Sequence, residues 1–122
     1  MSYDIDIRTT EKDLTCPHCG GVTGRQNAET IYTWDPTYNY GPMFRAACGT
    51  EHGVHDWDGK TIAEVLPLLE AMYAALVADP QKFRALNASN GWGTYDKLTP
   101  CIRDNVLPMF RRAPPDAVVR VT

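Results

Sequence analysis

The fold is decided by one stretch of the chain, residues 61–78, which reads TIAEVLPLLEAMYAALVA. Its apolar side chains recur every three or four residues, which is the period of a helix that buries one face. Thr61 and Glu64 have the spacing of a capping box, so we expect the helix to begin there. Pro67 falls beyond the first turn, which predicts a kink or a later start. The predicted buried face comprises Ile62, Val65, Leu66, Leu69, Met72, Tyr73, Leu76 and Val77.

Three shorter stretches have the pattern of β-strands. Residues 2–8 alternate cleanly between apolar and polar side chains, which is the period of a strand with one buried face. Residues 29–34 are rich in β-branched and aromatic types and end at the turn signal Asp35-Pro36. Residues 117–122 alternate more weakly and are predicted to form a closing strand.

Further helices are predicted between these strands. Residues 42–47 form a short one, because proline suits a first helical position. Asp79 caps another that begins at Pro80, and residues 95–112 form the last, which Pro108 is expected to limit. The simplest arrangement is one α+β domain of 122 residues, in which a small antiparallel sheet of about three strands packs against two main helices. The segment between the first two strands is predicted to be a zinc-knuckle-like loop.

The charge balance argues against nucleic-acid binding. The formal net charge is −3, and the acidic excess lies in residues 1–60, which hold nine acidic and five basic side chains. No basic stripe is present that could neutralise a run of phosphates. The chain opens without the pattern of a secretory signal, and no apolar run approaches the roughly 20 residues that span a bilayer. We therefore expect a cytoplasmic protein without membrane contact, whose four cysteines are not paired in disulfides.

The sharpest chemical signal is the motif Cys16-Pro17-His18-Cys19-Gly20. Two thiolates three positions apart on a turn can both reach one tetrahedral zinc ion, and the glycine lets the backbone turn toward the sulfurs. The motif resembles the knuckle of zinc ribbons, a resemblance that covers only this short segment. Two alternatives stay open: reduced cysteines without metal, and a redox pair, although no thioredoxin-like βαβ pattern surrounds the motif.

A closed zinc site needs two more ligands. Cys48, His52 and His55 are the nearest candidates, but their spacing departs from the repeated Cys-x-x-Cys of a ribbon, so the fourth ligand stays open. Cys101 lies on the apolar stripe of the last helix and is interpreted as a small core residue. The predicted ligands of a structural zinc are Cys16, Cys19, Cys48, His52 and His55.

The segment around the two later histidines permits a second interpretation. His52, His55, Asp56 and Asp58 lie close in sequence, and imidazole with carboxylate can hold a hydrolytic metal with an open coordination position. The same residues fit a solvated turn before the long helix equally well. The chain has no nucleophile elbow and no phosphate-cradling loop, which favours a protein that is not an enzyme.

Two loops combine aromatic residues with Gly and Asn. Trp34, Tyr38, Asn39 and Tyr40 belong to the first loop, and Trp92 belongs to the second. Aromatic side chains in such loops can form a binding surface with few rotors to order. If the loops meet, they form an apolar cleft, and we expect Tyr38 and Tyr40 on the same side of it. The alternative is that Trp34 and Trp92 close the ends of the core.

Several short motifs are spread over most of the chain: residues 2–5 (Ser-Tyr-Asp-Ile), 20–21 (Gly-Gly), 37–40 (Thr-Tyr-Asn-Tyr), 86–87 (Leu-Asn) and 90–93 (Asn-Gly-Trp-Gly). With them the sequence resembles small proteins encoded by bacteriophages and prophages, particularly those of actinobacteria. The resemblance implies a phage accessory protein in the host bacterial cytoplasm and implies no activity. The first hypothesis is a non-enzymatic binding module with a structural zinc that engages a host protein or a small ligand. The alternative is a small metal-dependent hydrolase; a zinc-ribbon nucleic-acid binder, the third, is opposed by the charge.

Overall fold

A computed structural model describes residues 2–122 of the chain. It contains two antiparallel sheets, one of three strands and one of two, together with several helices. The predicted α+β class, with a small three-stranded sheet, is confirmed. The strands are β1 (Ile5–Arg8), β2 (Lys12–Thr15), β3 (Val22–Gln26), β4 (Thr30–Trp34) and β5 (Val118–Val121).

The helices follow β4 and precede β5. A 3-10 turn (Tyr38–Tyr40) leads into the first, and a second 3-10 turn (Gly53–Trp57) follows it. The last two helices are joined by a π-helical stretch, Ile102–Val106, so residues 95–112 stay helical throughout. The helices are α1 (Gly41–Cys48), α2 (Ile62–Ala78), α3 (Pro80–Arg84), α4 (Tyr95–Cys101) and α5 (Leu107–Arg112).

The three-stranded sheet has the order β4-β1-β5, so the strand nearest the start of the chain lies at its centre. Ile5 pairs with Trp34 on one side and Val121 on the other, and all three side chains are buried. Because alternate residues of a strand point to the same face, one face of the sheet is apolar. The opposite face carries charged residues, among them the cross-strand partners Asp6 and Arg120. The helices cover the apolar face.

Helix α2 begins where its capping box predicts. The Thr61 hydroxyl accepts the backbone N–H of Glu64 (3.4 Å), and the Glu64 carboxylate accepts the N–H of Thr61 (3.2 Å). The predicted face points into the core, apart from the exposed Val77. The expectation that Pro67 delays the start of the helix is wrong. Pro67 has no backbone N–H, so the carbonyl of Ala63 lacks its hydrogen-bond donor within the helix. Ala63 is exposed, so water can donate to this carbonyl instead.

The final helical region differs from the prediction in its middle. Pro108 does not end it, because the π-helical stretch Ile102–Val106 widens the helix just before the proline ring would collide with the preceding turn. The extra residue in this wider turn shifts the buried stripe. Leu107 is therefore buried, while Asn105, which lies four positions after Cys101 and would share its face in a regular α-helix, is exposed.

The predicted loop between the first two strands is a β-hairpin. Strands β2 and β3 pair antiparallel, with Lys12 opposite Gln26, and residues 16–20 form the turn at its tip. Residues 11–25 are exposed, with the exception of the half-buried Cys16. These strands have no apolar face because they cover no core, so hydrophobic periodicity could not reveal them.

The capping box gives a direct test of this fold. Replacing Thr61 with alanine removes the hydroxyl that accepts the Glu64 N–H, and we expect it to lower the free energy of unfolding by about 1 kcal/mol. The measurement is urea unfolding followed by circular dichroism. Thr61→Ser keeps the hydroxyl and is expected to retain most of the stability. Equal loss in both variants would contradict the capping assignment.

Candidate functional site

The five predicted zinc ligands lie in three separate places. Cys16 and Cys19 are at the tip of the β2–β3 hairpin, and Cys48 is the last residue of α1. His55 lies in the 3-10 turn that follows α1, and His52 is the N-cap residue of that turn. Within residues 2–122, no three His, Cys, Asp or Glu side chains are grouped so that they could hold a metal ion. The structure therefore does not assemble these five residues into one site, and zinc binding stays a prediction.

The hairpin tip holds two cysteine thiols in a turn closed by hydrogen bonds. Hydrogen bonds from the backbone N–H groups of Cys19 and His18, together with one from the Cys19 side chain, lower the pKa of the Cys16 thiol. The Gly21 N–H approaches the Cys19 sulfur at 3.4 Å. The turn is closed by the Cys16 N–H, which donates to the Gly21 carbonyl (2.8 Å), and Gly20 takes a positive φ of 73°. Such bonds favour the thiolate, the form that binds metal.

Cys48 lies in a different environment, at a half-open cavity of about 320 Å³ between α1 and α2. Burial raises the pKa of its thiol to about 11, and the nearby Asp56 carboxylate contributes to the shift. A neutral thiol is a poor metal ligand and a poor nucleophile. The cavity is lined by apolar side chains together with charges of both signs; its lining includes Cys48, Asp56, Trp57, Lys60, Leu68 and Met72.

The segment proposed for a hydrolytic metal takes part in packing. The His55 ring lies against the Tyr3 ring, with 5.1 Å between their centroids. The Asp58 carboxylate accepts the backbone N–H of Val121 at 2.9 Å and so ties this segment to β5. His52 is exposed. The Asp58 carboxylate therefore stabilises the fold, and the metal-dependent hydrolase stays an untested alternative.

The two aromatic loops meet in space. The Asn39 side-chain amide donates to the backbone carbonyl of Trp92 (3.2 Å), and the Tyr40 hydroxyl donates to the carbonyl of Thr94 (3.2 Å). Gly93 has a positive φ of 79°, and a Cβ there would lie 2.7 Å from a methyl group of the first loop. Glycine is therefore required for the close approach of the two loops.

The predicted binding residues fall into two groups. Trp34 and Tyr40 are buried in the core, so they support the loops and do not form a contact surface. Trp92 is 72% exposed and Tyr38 is 40% exposed, with Asn39 half-buried between the loops. The alternative in which both tryptophans close the core is thus right for Trp34 and wrong for Trp92. The expectation that Tyr38 and Tyr40 share one side is also wrong, because their segment is a 3-10 turn and not extended.

Two relevant features were not identified from the sequence. The first is the close approach of the two loops at Gly93. The sequence does carry one signal for this region, because a tryptophan with glycine on both sides is typical of an exposed loop tip. The second is the pair Leu14 and Val22, apolar residues that flank the cysteine turn and are exposed on the hairpin. No motif or period in the sequence distinguishes them from residues that pack on a core.

Comparisons with known proteins give no identification. No protein-family model, no curated protein and no solved structure matches the chain. Within the described residues, the helices all lack the combination of length and apolar character that a membrane crossing requires.

The contrasting cysteine environments predict different reactivities. A rise in pKa from 9.0 to about 11 lowers the thiolate fraction of Cys48 about 100-fold at pH 8. We therefore expect iodoacetamide to label Cys16 rapidly and Cys48 slowly in the native, metal-free protein, as measured by peptide mass spectrometry. In guanidinium chloride the two rates should converge. Native labelling of Cys48 as fast as Cys16 would contradict the described burial.

Proposed function

We propose that this protein is a non-enzymatic binding module that captures another protein through the Trp92 surface, defined as Tyr38, Asn39 and Trp92. The observation that carries the proposal is the exposure of the Trp92 ring on a loop whose backbone is fixed. An exposed indole adds little to the stability of a fold, whereas Trp and Tyr are enriched among the residues that anchor protein interfaces. The resemblance to phage and prophage proteins supports a host bacterial protein as the partner.

The loop that carries Trp92 is held at several points. The backbone N–H of Trp92 donates to the side-chain oxygen of Asn90 (2.9 Å), and the backbone carbonyl of Trp92 accepts from the side-chain amide of Asn39 (3.2 Å). Beyond the loop, the N–H of Tyr95 donates to the side chain of Asn87 (2.8 Å). Because the backbone is already ordered, binding has to immobilise only the exposed side chains, which reduces its entropic cost.

The chemistry of the surface defines the partner it fits. The Tyr38 ring rests edge-on against Tyr3, at 4.7 Å between centroids, so this exposed ring is also supported from below. The three residues of the Trp92 surface are uncharged. A matching partner has an apolar pocket wide enough for an indole and hydrogen-bonding groups at its rim. The affinity for such a partner should depend only weakly on salt.

A second candidate function rests on the cavity beside Cys48. Its volume of about 320 Å³ falls at the lower end of the range for small-molecule sites, roughly 300–1,000 Å³. Its mostly apolar lining, with Asp56 and Lys60 among the lining residues, suits a small and mostly apolar molecule with a polar end. Ala71 also lines this cavity and is exposed, so Ala71→Phe can narrow it without disturbing the core.

Replacement of Trp92 tests the first proposal. Trp92→Ala is expected to weaken partner binding at least about 30-fold, because a central tryptophan anchor contributes about 2 kcal/mol or more. The melting temperature should not change, since the ring is exposed. The tagged full chain would be used to capture partners from an actinobacterial lysate, with quantitative mass spectrometry followed by titration of the purified partner.

Two variants serve as controls for this experiment. Val77→Ala removes an exposed apolar side chain from α2 and should leave capture intact. Ala71→Phe should also leave it intact if the cavity takes no part. A partner retained in full by Trp92→Ala would refute the Trp92 surface as the binding site. Binding lost in Ala71→Phe alone would favour the cavity.

A further inference from the structure

The hairpin tip carries two cysteines, half of the ligands that a closed structural zinc site needs. The turn that holds them is closed by backbone hydrogen bonds between Cys16 and Gly21 (2.8 Å) and between Gly20 and Cys16 (2.9 Å), and the Gly21 N–H donates to the Cys19 sulfur at 3.4 Å. Structural zinc sites are almost always tetrahedral, with four ligands. Within the described residues no third His, Cys, Asp or Glu joins Cys16 and Cys19 in a group that could hold a metal, and Cys48 lies separately at its cavity. A closed zinc site at this tip would therefore need two more ligands from outside the chain.

We propose that a second copy of this chain supplies them, so that one zinc ion is held by Cys16 and Cys19 of each protomer. A two-fold axis through the ion would present the same pair of sulfurs twice and complete a tetrahedron of four thiolates. No other ligand type is needed, and the same symmetry fixes the number of copies at two.

The charge and exposure of the hairpin fit a partner identical to itself. Residues 11–26 contain two acidic and two basic side chains, so two tips can approach without net repulsion. The pair Glu11 and Arg25 already neutralise each other within one hairpin, across an ion pair of 2.6 Å. Leu14 and Val22, which are 46% and 66% exposed beside the turn, would lose contact with water in the pair.

Zinc binding at this site is a proton-release reaction. Each of the four thiols gives its proton to solvent as its sulfur binds Zn²⁺, and no electron is transferred. The resulting centre carries a net charge of −2. The Gly21 N–H, which lies 3.4 Å from the Cys19 sulfur, would offset part of that charge in each protomer.

The stoichiometry of zinc binding tests the proposal. The full chain would be titrated with ZnCl₂ under a reducing agent that does not bind zinc, with metal content and sedimentation mass measured together. We expect one zinc ion per two chains and a mass that doubles from 13.6 kDa, reversed by a chelator. Substitution with Co²⁺ should give the charge-transfer absorption of a thiolate-bound tetrahedral ion.

Single substitutions separate this site from the others. Cys16→Ser and Cys19→Ser should each abolish zinc-dependent dimerisation without unfolding the domain, because the hairpin lies outside the core. Cys48→Ser, Cys101→Ser and Trp92→Ala should leave it intact. The proposal is overturned by one zinc ion in a monomer, by loss of zinc in Cys48→Ser, or by the absence of zinc binding.

Discussion

The structure depends on the burial of alternate side chains of β1 beneath the helices. Ile5 and Ile7 are fully buried at the centre of the sheet, between buried residues of β4 and β5. Truncating such a residue to alanine typically costs about 2–5 kcal/mol, a large share of the stability of a domain this small. The two strands beside β1 connect the sheet to the helical part of the molecule. Asp58 ties the 3-10 turn to β5, and Trp34 of β4 packs on Phe44 of α1, with 5.8 Å between ring centroids.

Two parts of the molecule contribute little to this core and carry its exposed chemistry. The β2–β3 hairpin is exposed along both strands and presents two sulfur atoms at its tip. The loop of Trp92 is pinned to the first aromatic loop by Asn39 and Gly93, yet its indole faces solvent. At the Trp92 loop, a backbone held by hydrogen bonds together with an exposed aromatic ring is the arrangement expected of a recognition site. The two surfaces call for different partners, so they can be tested independently.

The sequence predicted the elements that bury apolar residues and missed those that do not. The alternation of β1 and the capping box at Thr61 led to the correct elements because burial and capping leave a periodic or local trace. The hairpin left no such trace, and the effect of Pro108 depended on a π-helical stretch that no local signal encodes. At the candidate sites, the sequence pointed to Cys16, Cys19 and Trp92, whose roles stay predictions, and the structure places all three side chains outside the core. It could not predict that Cys48 lies apart from the other sulfurs, since spacing along the chain does not fix tertiary distance.

The separation between core and hairpin is tested most directly by amide hydrogen exchange of the reduced, metal-free chain. An isolated two-stranded hairpin is only marginally stable, whereas opening of β1 requires disruption of the core. We expect the amides of Ile5 and Ile7 to exchange many-fold more slowly than those of Lys12–Thr15 and Val22–Gln26. Equal protection of the hairpin and β1 would contradict the account, because it would place the hairpin within the cooperative core.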